Sequence, residues 1–132
     1  MPNLVAIQTV NDGPRNHVIS INIQGDGSGD EVNAVIIDPN LADPVCTDFS
    51  VWRISGSLTG FEALLTWGGT NKPLLYTIPN EYPIDQDFSR VGGLKNPRQD
   101  GYDGTILLTT YGLGPDDDGV LVLELKKKGV LR

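Results

Sequence analysis

His17-Val18-Ile19-Ser20-Ile21-Asn22-Ile23-Gln24 alternates strictly. In an extended chain His17, Ile19, Ile21 and Ile23 share one face, and Val18, Ser20, Asn22 and Gln24 share the other. A period of two with one apolar face is the mark of a strand laid on a core. Phe61–Trp67 repeats the pattern, with Phe61, Ala63, Leu65 and Trp67 opposite Glu62, Leu64 and Thr66. On either side of these two stretches, short runs rich in Val, Ile, Leu, Thr and aromatics lie between Gly, Pro, Asn and Asp, which predicts further strands. These are Leu4–Val10, Glu31–Asp38, Phe49–Ser55, Pro73–Ile78, Thr105–Tyr111 and Val120–Leu125, making about eight strands with the first two. In the last of them Leu121, Leu123 and Leu125 oppose Val120, Val122 and Glu124, so this strand is either covered on both faces or meets a partner.

No stretch keeps an apolar 3.6-residue period over three turns without Gly or Pro, so no long helix is expected. The 16 glycines and nine prolines fall between the runs as punctuation. Gly25–Asp30, Ser57–Gly60, Gly68–Lys72 and Gly114–Gly119 read as tight turns and as hairpin candidates. The expected fold is all-β: a single domain over residues 1–132, built as an antiparallel β-sandwich of jelly-roll or Greek-key topology. From Pro79 to Gly104 no strand is evident, and a long loop is expected there. Loops of that length are uncommon and tend to be functional or mobile.

The chain has 132 residues, 39% hydrophobic and 20% charged, a composition for one soluble core. No apolar run approaches the roughly 18 residues of a spanning helix, and Met1–Val10 lacks the features of a signal peptide. A single cysteine, Cys46, excludes an intramolecular disulfide and suits folding in a reducing cytoplasm. The net charge of −7 argues against nucleic acid and anionic membrane as partners. Lys126, Lys127, Lys128 and Arg132 form a basic tail at 126–132, leaving six basic against 17 acidic residues elsewhere. A frayed, solvated terminus is the expectation for that tail.

No constellation for catalysis emerges. His17 and Cys46 are singletons without a nucleophile elbow or triad motif, and both read as structural. Asp26, Ser28, Asp30 and Glu31 superficially resemble a calcium loop, but the sixth and twelfth positions are Glu31 and Ile37 where an EF-hand needs Gly and Glu. That stretch, like Asp116-Asp117-Asp118, reads as a polar turn, and no metal or cofactor is expected. Gly92-Gly93-Leu94 lacks the strand and helix of a dinucleotide site. Trp52, Trp67, Tyr76, Tyr82, Tyr102 and Tyr111 are available for stacking on sugar, although core packing is their commoner use.

Thr9-Val10-Asn11-Asp12-Gly13-Pro14-Arg15-Asn16-His17-Val18 followed by Gln24–Gly29 resembles the amino-terminal half of small structural proteins of tailed bacteriophages. Ile54–Phe61, Gly92-Gly93-Leu94 and Val122–Lys127 extend the similarity over most of the chain. The resemblance implies a virion protein of the capsid decoration or cement type, located on the capsid surface after folding in the host cytoplasm. It implies the major capsid protein as partner, with self-association as a trimer or dimer compatible with the group, and it implies no enzyme. The residues expected to carry partner binding are Arg15, Arg90, Lys95 and Arg98, basic positions on an acidic body, with Phe88 and Leu94 as apolar anchors of the long loop. The competing expectation is a receptor- or carbohydrate-binding β-sandwich module of a tail or surface structure.

Overall fold

In a computed structural model the protein is described over residues 3–42, 45–81, 83–98 and 101–129. Pro44, Tyr82 and Arg132 therefore lie outside the described residues. The fold is all-β, in two antiparallel sheets. The strands are β1 (Leu4–Asp12), β2 (Asn16–Gln24), β3 (Ala34–Ile37), β4 (Asp48–Thr59), β5 (Glu62–Gly69), β6 (Leu74–Ile78), β7 (Ile84–Asp87), β8 (Leu94–Lys95), β9 (Tyr102–Tyr111) and β10 (Asp118–Lys128). One sheet runs β1-β2-β10-β4-β7, with β8 also paired to β4; the other runs β3-β9-β5-β6.

The alternating stretch behaves as its pattern demands. Ile19, Ile21 and Ile23 of β2 are at most 1% exposed and join Leu121, Leu123 and Leu125 of β10, and Phe49, Val51, Ile54 and Leu58 of β4, in one buried cluster. The second sheet contributes Ile36, Ile37, Ala63, Leu65, Trp67, Ile106 and Leu108 to the same cluster, so the two sheets share a core. Trp67 is 2% exposed, as its alternation predicts. β10 resolves the two readings of its sequence, because its leucines enter the core while Val120, Val122 and Glu124 lie on the outer face, Val120 being 43% exposed.

Each of the eight expected runs overlaps a strand, in most cases a longer one, and two further strands bring the number among the described residues to ten, above the expected count. The expected loop at 79–104 is corrected by the structure, since Ile84–Asp87 and Leu94–Lys95 form β7 and β8 on the edge of β4. The expected tail is corrected as well: β10 runs on through Lys128, with Lys126↔Ser50, Lys127↔Phe49 and Lys128↔Asp48 in register. Alternation therefore turns Lys127 inward. Its ammonium is fully buried and reaches Asp12 Oδ1 at 2.5 Å, and the same oxygen lies 3.0 Å from His17 Nδ1. The His17 ring in turn packs at 5.5 Å from Phe49.

Three of the four turns expected to make hairpins are corners instead. Gly25–Asp30, Ser57–Gly60 and Gly114–Gly119 each lie on a connection that carries the chain from one sheet to the other, and β4 itself extends to Thr59. Only Gly68–Lys72 joins neighbouring strands, β5 and β6. Gly56 is required where β4 crosses β10: its φ is +139°, and a Cβ there would collide with the backbone carbonyl of Val120.

The buried Lys127–Asp12 pair gives a test of what holds β1 against β10. Asp12→Ala leaves an ammonium without its carboxylate in the interior, and the expected cost is about 2–3 kcal/mol in urea denaturation. Lys127→Met removes the charge and keeps the stem's volume, so its midpoint should stay far closer to that of the parent protein. Equal losses in the two variants would show that packing, not charge compensation, sets the contribution of this site.

Candidate contact surface

The segment after β6 owes its path to a single irregularity in β4. Arg53 pairs with Glu124 and Val51 with Leu125, so Trp52 is an extra residue with no partner on β10. On the other edge of β4, β7 pairs as far as Arg53 and β8 begins at Val51, so the interruption is at Trp52 again. Between these two strands the chain bows out through a short 3-10 turn, Ser89–Val91. The Trp52 carbonyl accepts the Phe88 N–H at 2.8 Å, and the Phe88 carbonyl accepts the N–H groups of Val91 and Gly93. Gly92 and Gly93 both adopt positive φ, and a Cβ at Gly93 would press on the Trp52 indole.

Phe88 and Leu94, expected to await a partner, pack on the protein's own core. The Phe88 ring meets Tyr76 edge-on at 5.9 Å. The reason is geometric: a segment tied by hydrogen bonds to a sheet edge brings its apolar side chains over the open end of that sheet. Arg90 and Val91 remain at the tip of the excursion, Val91 being 72% exposed. Hydrogen bonding from Ser89 lowers the Asp87 pKa, and the charges of Arg53 and Arg90 add smaller contributions in the same direction. Arg53 and Asp85 form a bidentate pair at 2.7 Å on the exposed β4–β7 edge, which lowers the Asp85 pKa. Pairs this exposed contribute little to stability.

Arg98 is not free for a partner in the way its sequence position suggested. Its guanidinium donates from Nε and Nη2 to the two carboxylate oxygens of Asp48, each at 3.0 Å. Asp48 is 2% exposed and Arg98 about half exposed, so the pair ties the end of the segment to the first residue of β4. The same interaction raises the pKa of Arg98.

Around this pair the structure gathers cations that the sequence disperses. Across the outer face of the six-stranded sheet, Lys126 (β10), Ser50 (β4) and Lys95 (β8) stand directly opposite one another, and Lys128 faces Asp48 two residues on. Residues in such a row point to the same side of a sheet. Lys95, Arg98 and Lys128 line a groove of about 350 Å³ with Asp48, Phe49, Ser50 and Asn96. Lys126 lies over the Trp52 ring, 5.0 Å from its centroid, and the indole N–H donates to Ser50 Oγ. Arg15 belongs to the same end of the sheet, since its carbonyl accepts the N–H of the buried Lys127. Lys95 and Arg98 are thus brought together with Lys128, Arg15 stands two strands away before β2, Arg90 sits apart on the excursion, and Lys126 and Lys128 are the cations that sequence reading did not place with the site. The alternation Glu124-Leu125-Lys126-Lys127-Lys128, continued as a strand, was the signal that places them on one face.

The opposite edge of this sheet differs chemically. Among the described residues β1 pairs along its backbone with β2 alone, and its Leu4–Asn11 stretch carries no charge and no proline. Ile7, Val35 and Leu41 are 42%, 54% and 82% exposed and line a groove of about 270 Å³ between β1, β3 and the 3-10 turn Pro39–Leu41.

Asp26, Asp30, Asp117 and Cys46 are engaged within the fold. Asp26 accepts the Ser28 N–H, and Asp30 accepts from the Leu113 N–H and the Thr110 hydroxyl, which holds its carboxyl below the usual range. Asp117 accepts the Gly114 N–H within the turn before β10. No group of three or more metal-ligating side chains occurs among the described residues. Burial pushes the Cys46 thiol up to about 11, so it is a thiol at neutral pH. Tyr102 and Tyr111 stand at the two ends of β9, about 30 Å apart along the strand, too far to form one stacking platform. No helix among the described residues is long and apolar enough to cross a membrane.

No family model matches the chain, and neither a curated protein nor a solved structure matches it.

If the Arg98–Asp48 pair fastens the excursion, Arg98→Ala should accelerate amide hydrogen exchange at Val51 and Leu94, where β8 meets β4, and leave β5 and β6 unchanged. The expected loss of stability is about 2 kcal/mol, because a buried carboxylate loses its partner. Exchange in β8 that does not respond would mean that the Trp52–Phe88 backbone bond and core packing suffice to hold the segment.

Proposed function

We propose that this chain is a non-enzymatic structural protein of a tailed-bacteriophage virion, of the capsid decoration type, which binds the outer capsid surface and bridges neighbouring capsid subunits. The observation that supports bridging is the disposition of two unlike surfaces on opposite edges of one sheet. A basic groove lies where β4, β8 and β10 meet, and a mainly apolar groove, with Asp12 and Asp38 as its acidic residues, lies along β1. β1 and β4 are three strand spacings apart, roughly 14 Å, so the two surfaces face different neighbours across a rigid sheet. A protein that links two subunits needs two such contacts, whereas a module that reads one ligand needs one.

The resemblance to phage structural proteins supplies the virion setting, and the sheet supplies the means. A domain that binds only the assembled shell stabilises it by linkage, in proportion to occupancy and affinity. The shared core and the repeated passage of the chain between sheets support a Greek-key sandwich of the jelly-roll or a related type. Self-association as a trimer or dimer fits the same role through the open β1 edge.

The test is location. Antibody-gold labelling and quantitative mass spectrometry of purified particles should find the protein in many copies spread over the head. Heads emptied of their genome and stripped of the protein should regain resistance to dilution and heat when it is added back. A few copies confined to one vertex or to the tail would sink the decoration reading and favour the receptor-binding module.

A further inference from the structure

We propose that the groove framed by Asp48, Ser50, Lys95, Asn96, Arg98 and Lys128 is a binding site for carboxylate side chains of an acidic protein segment. The inference rests on the reading of the chain as a protein-binding module and gives one of its contacts a chemistry.

Three observations converge on the groove. The first is charge without compensation. Among the described residues Asp48 is the one acidic residue lining it, and both its oxygens are taken by Arg98. Lys95 and Lys128 have no carboxylate partner among the described residues, so the groove has a local surplus of positive charge on a chain of net charge −7. The second is a spare buried donor. Asn96 is 7% exposed; its Oδ1 accepts the Arg98 N–H at 2.9 Å, which orients the amide, and its buried Nδ2 has no acceptor among the described residues. A buried amide N–H without a partner costs free energy, and an acceptor oxygen entering the groove would recover it. The third is the donor geometry of Arg98. Asp48 uses two of the five guanidinium N–H donors, and the side chain is about half exposed, so further donors face the groove mouth.

This set suits a carboxylate. Two ammonium groups provide attraction within a Debye length of about 8 Å, and the guanidinium and amide provide directed N–H donors for its oxygens. A polyanion such as nucleic acid meets the field of the whole acidic body over many phosphates, whereas one or two carboxylates meet only the groove.

The test uses the full chain and a fluorescent, N-acetylated peptide of alternating Gly and Asp, with its Gly-Asn counterpart and an oligothymidylate of equal charge as controls. The acidic peptide is expected to bind with a salt-dependent affinity and the Gly-Asn peptide not to bind. The Lys95→Glu/Lys128→Glu double variant should weaken the acidic peptide by about tenfold or more. Asn96→Asp keeps the acceptor for Arg98 and replaces the free donor by an oxygen, and it should weaken binding by a similar factor. Should Asn96→Asp fail to fold, the double variant, whose changes lie on the surface, decides alone. Equal binding of the two peptides, unchanged affinity in variants with parental melting curves, or tighter binding of the oligothymidylate would overturn the inference. Protein found over the head with no affinity for the acidic peptide sinks this inference alone. Acidic-peptide binding by a protein absent from heads sinks the virion reading and leaves the groove.

Discussion

A carboxylate removed from water must find compensation, and Asp48 finds it in Arg98, 50 residues further along the chain. The rest of the contact surface depends on that pair. It fixes the first residue of β4, closes the segment that carries β7 and β8, and holds Asn96 and Lys95 beside Lys128. A bidentate bond between a rigid fork and a buried carboxylate is directional, so it positions as well as neutralises. The same end of the sheet contains a second compensated interior charge, Lys127 with Asp12, placed on the opposite face of β10. Consecutive lysines therefore do different work: Lys127 holds β1 to β10 from within, and Lys126 and Lys128 charge the outside.

What the sequence disclosed and what it hid follow from the range of the interactions concerned. Alternation is local, so β2, β5 and β10 and their core-facing residues were legible from Ile19-Ser20-Ile21, Ala63-Leu64-Leu65 and Leu121-Val122-Leu123. β7 was not, because Ile84-Asp85-Gln86-Asp87 has one apolar residue and exists as a strand only through its hydrogen bonds to β4. Turn chemistry is local too, but Gly and Asp serve a corner between sheets as well as they serve a hairpin, which is why three corners read as hairpins. At the candidate site, the basic character of Lys95 and Arg98 was visible, and their grouping with Lys128 was not, since it requires β8 and β10 to flank β4. Arg98 was read as a free cation because its partner is remote in sequence.

The bulge at Trp52 shows how one inserted residue organises both edges of a strand. Its unpaired position shifts the outward face from Ser50 to Arg53, and its carbonyl receives Phe88. Bulges concentrate where a sheet must re-aim side chains or end a pairing, and here both happen at one residue. The indole lies against the outer surface under Lys126, where its ring also limits how close Gly93 approaches.

The place of β10 in the six-stranded sheet has a consequence for how the chain is made. β10 follows all the other strands in sequence, yet it sits between β2 and β4 and is hydrogen-bonded to both. On a ribosome, β2 and β4 emerge with the edges meant for β10 exposed, and the hairpin of β1 and β2 has no link to the rest of its sheet until residues 118–128 arrive. Synthesis at about 5–20 residues per second leaves that gap open for several seconds, long enough for strand edges to find one another in neighbouring chains. The final strand works as a keystone, and this sheet is completed by contacts between distant parts of the sequence, the kind that closes slowly.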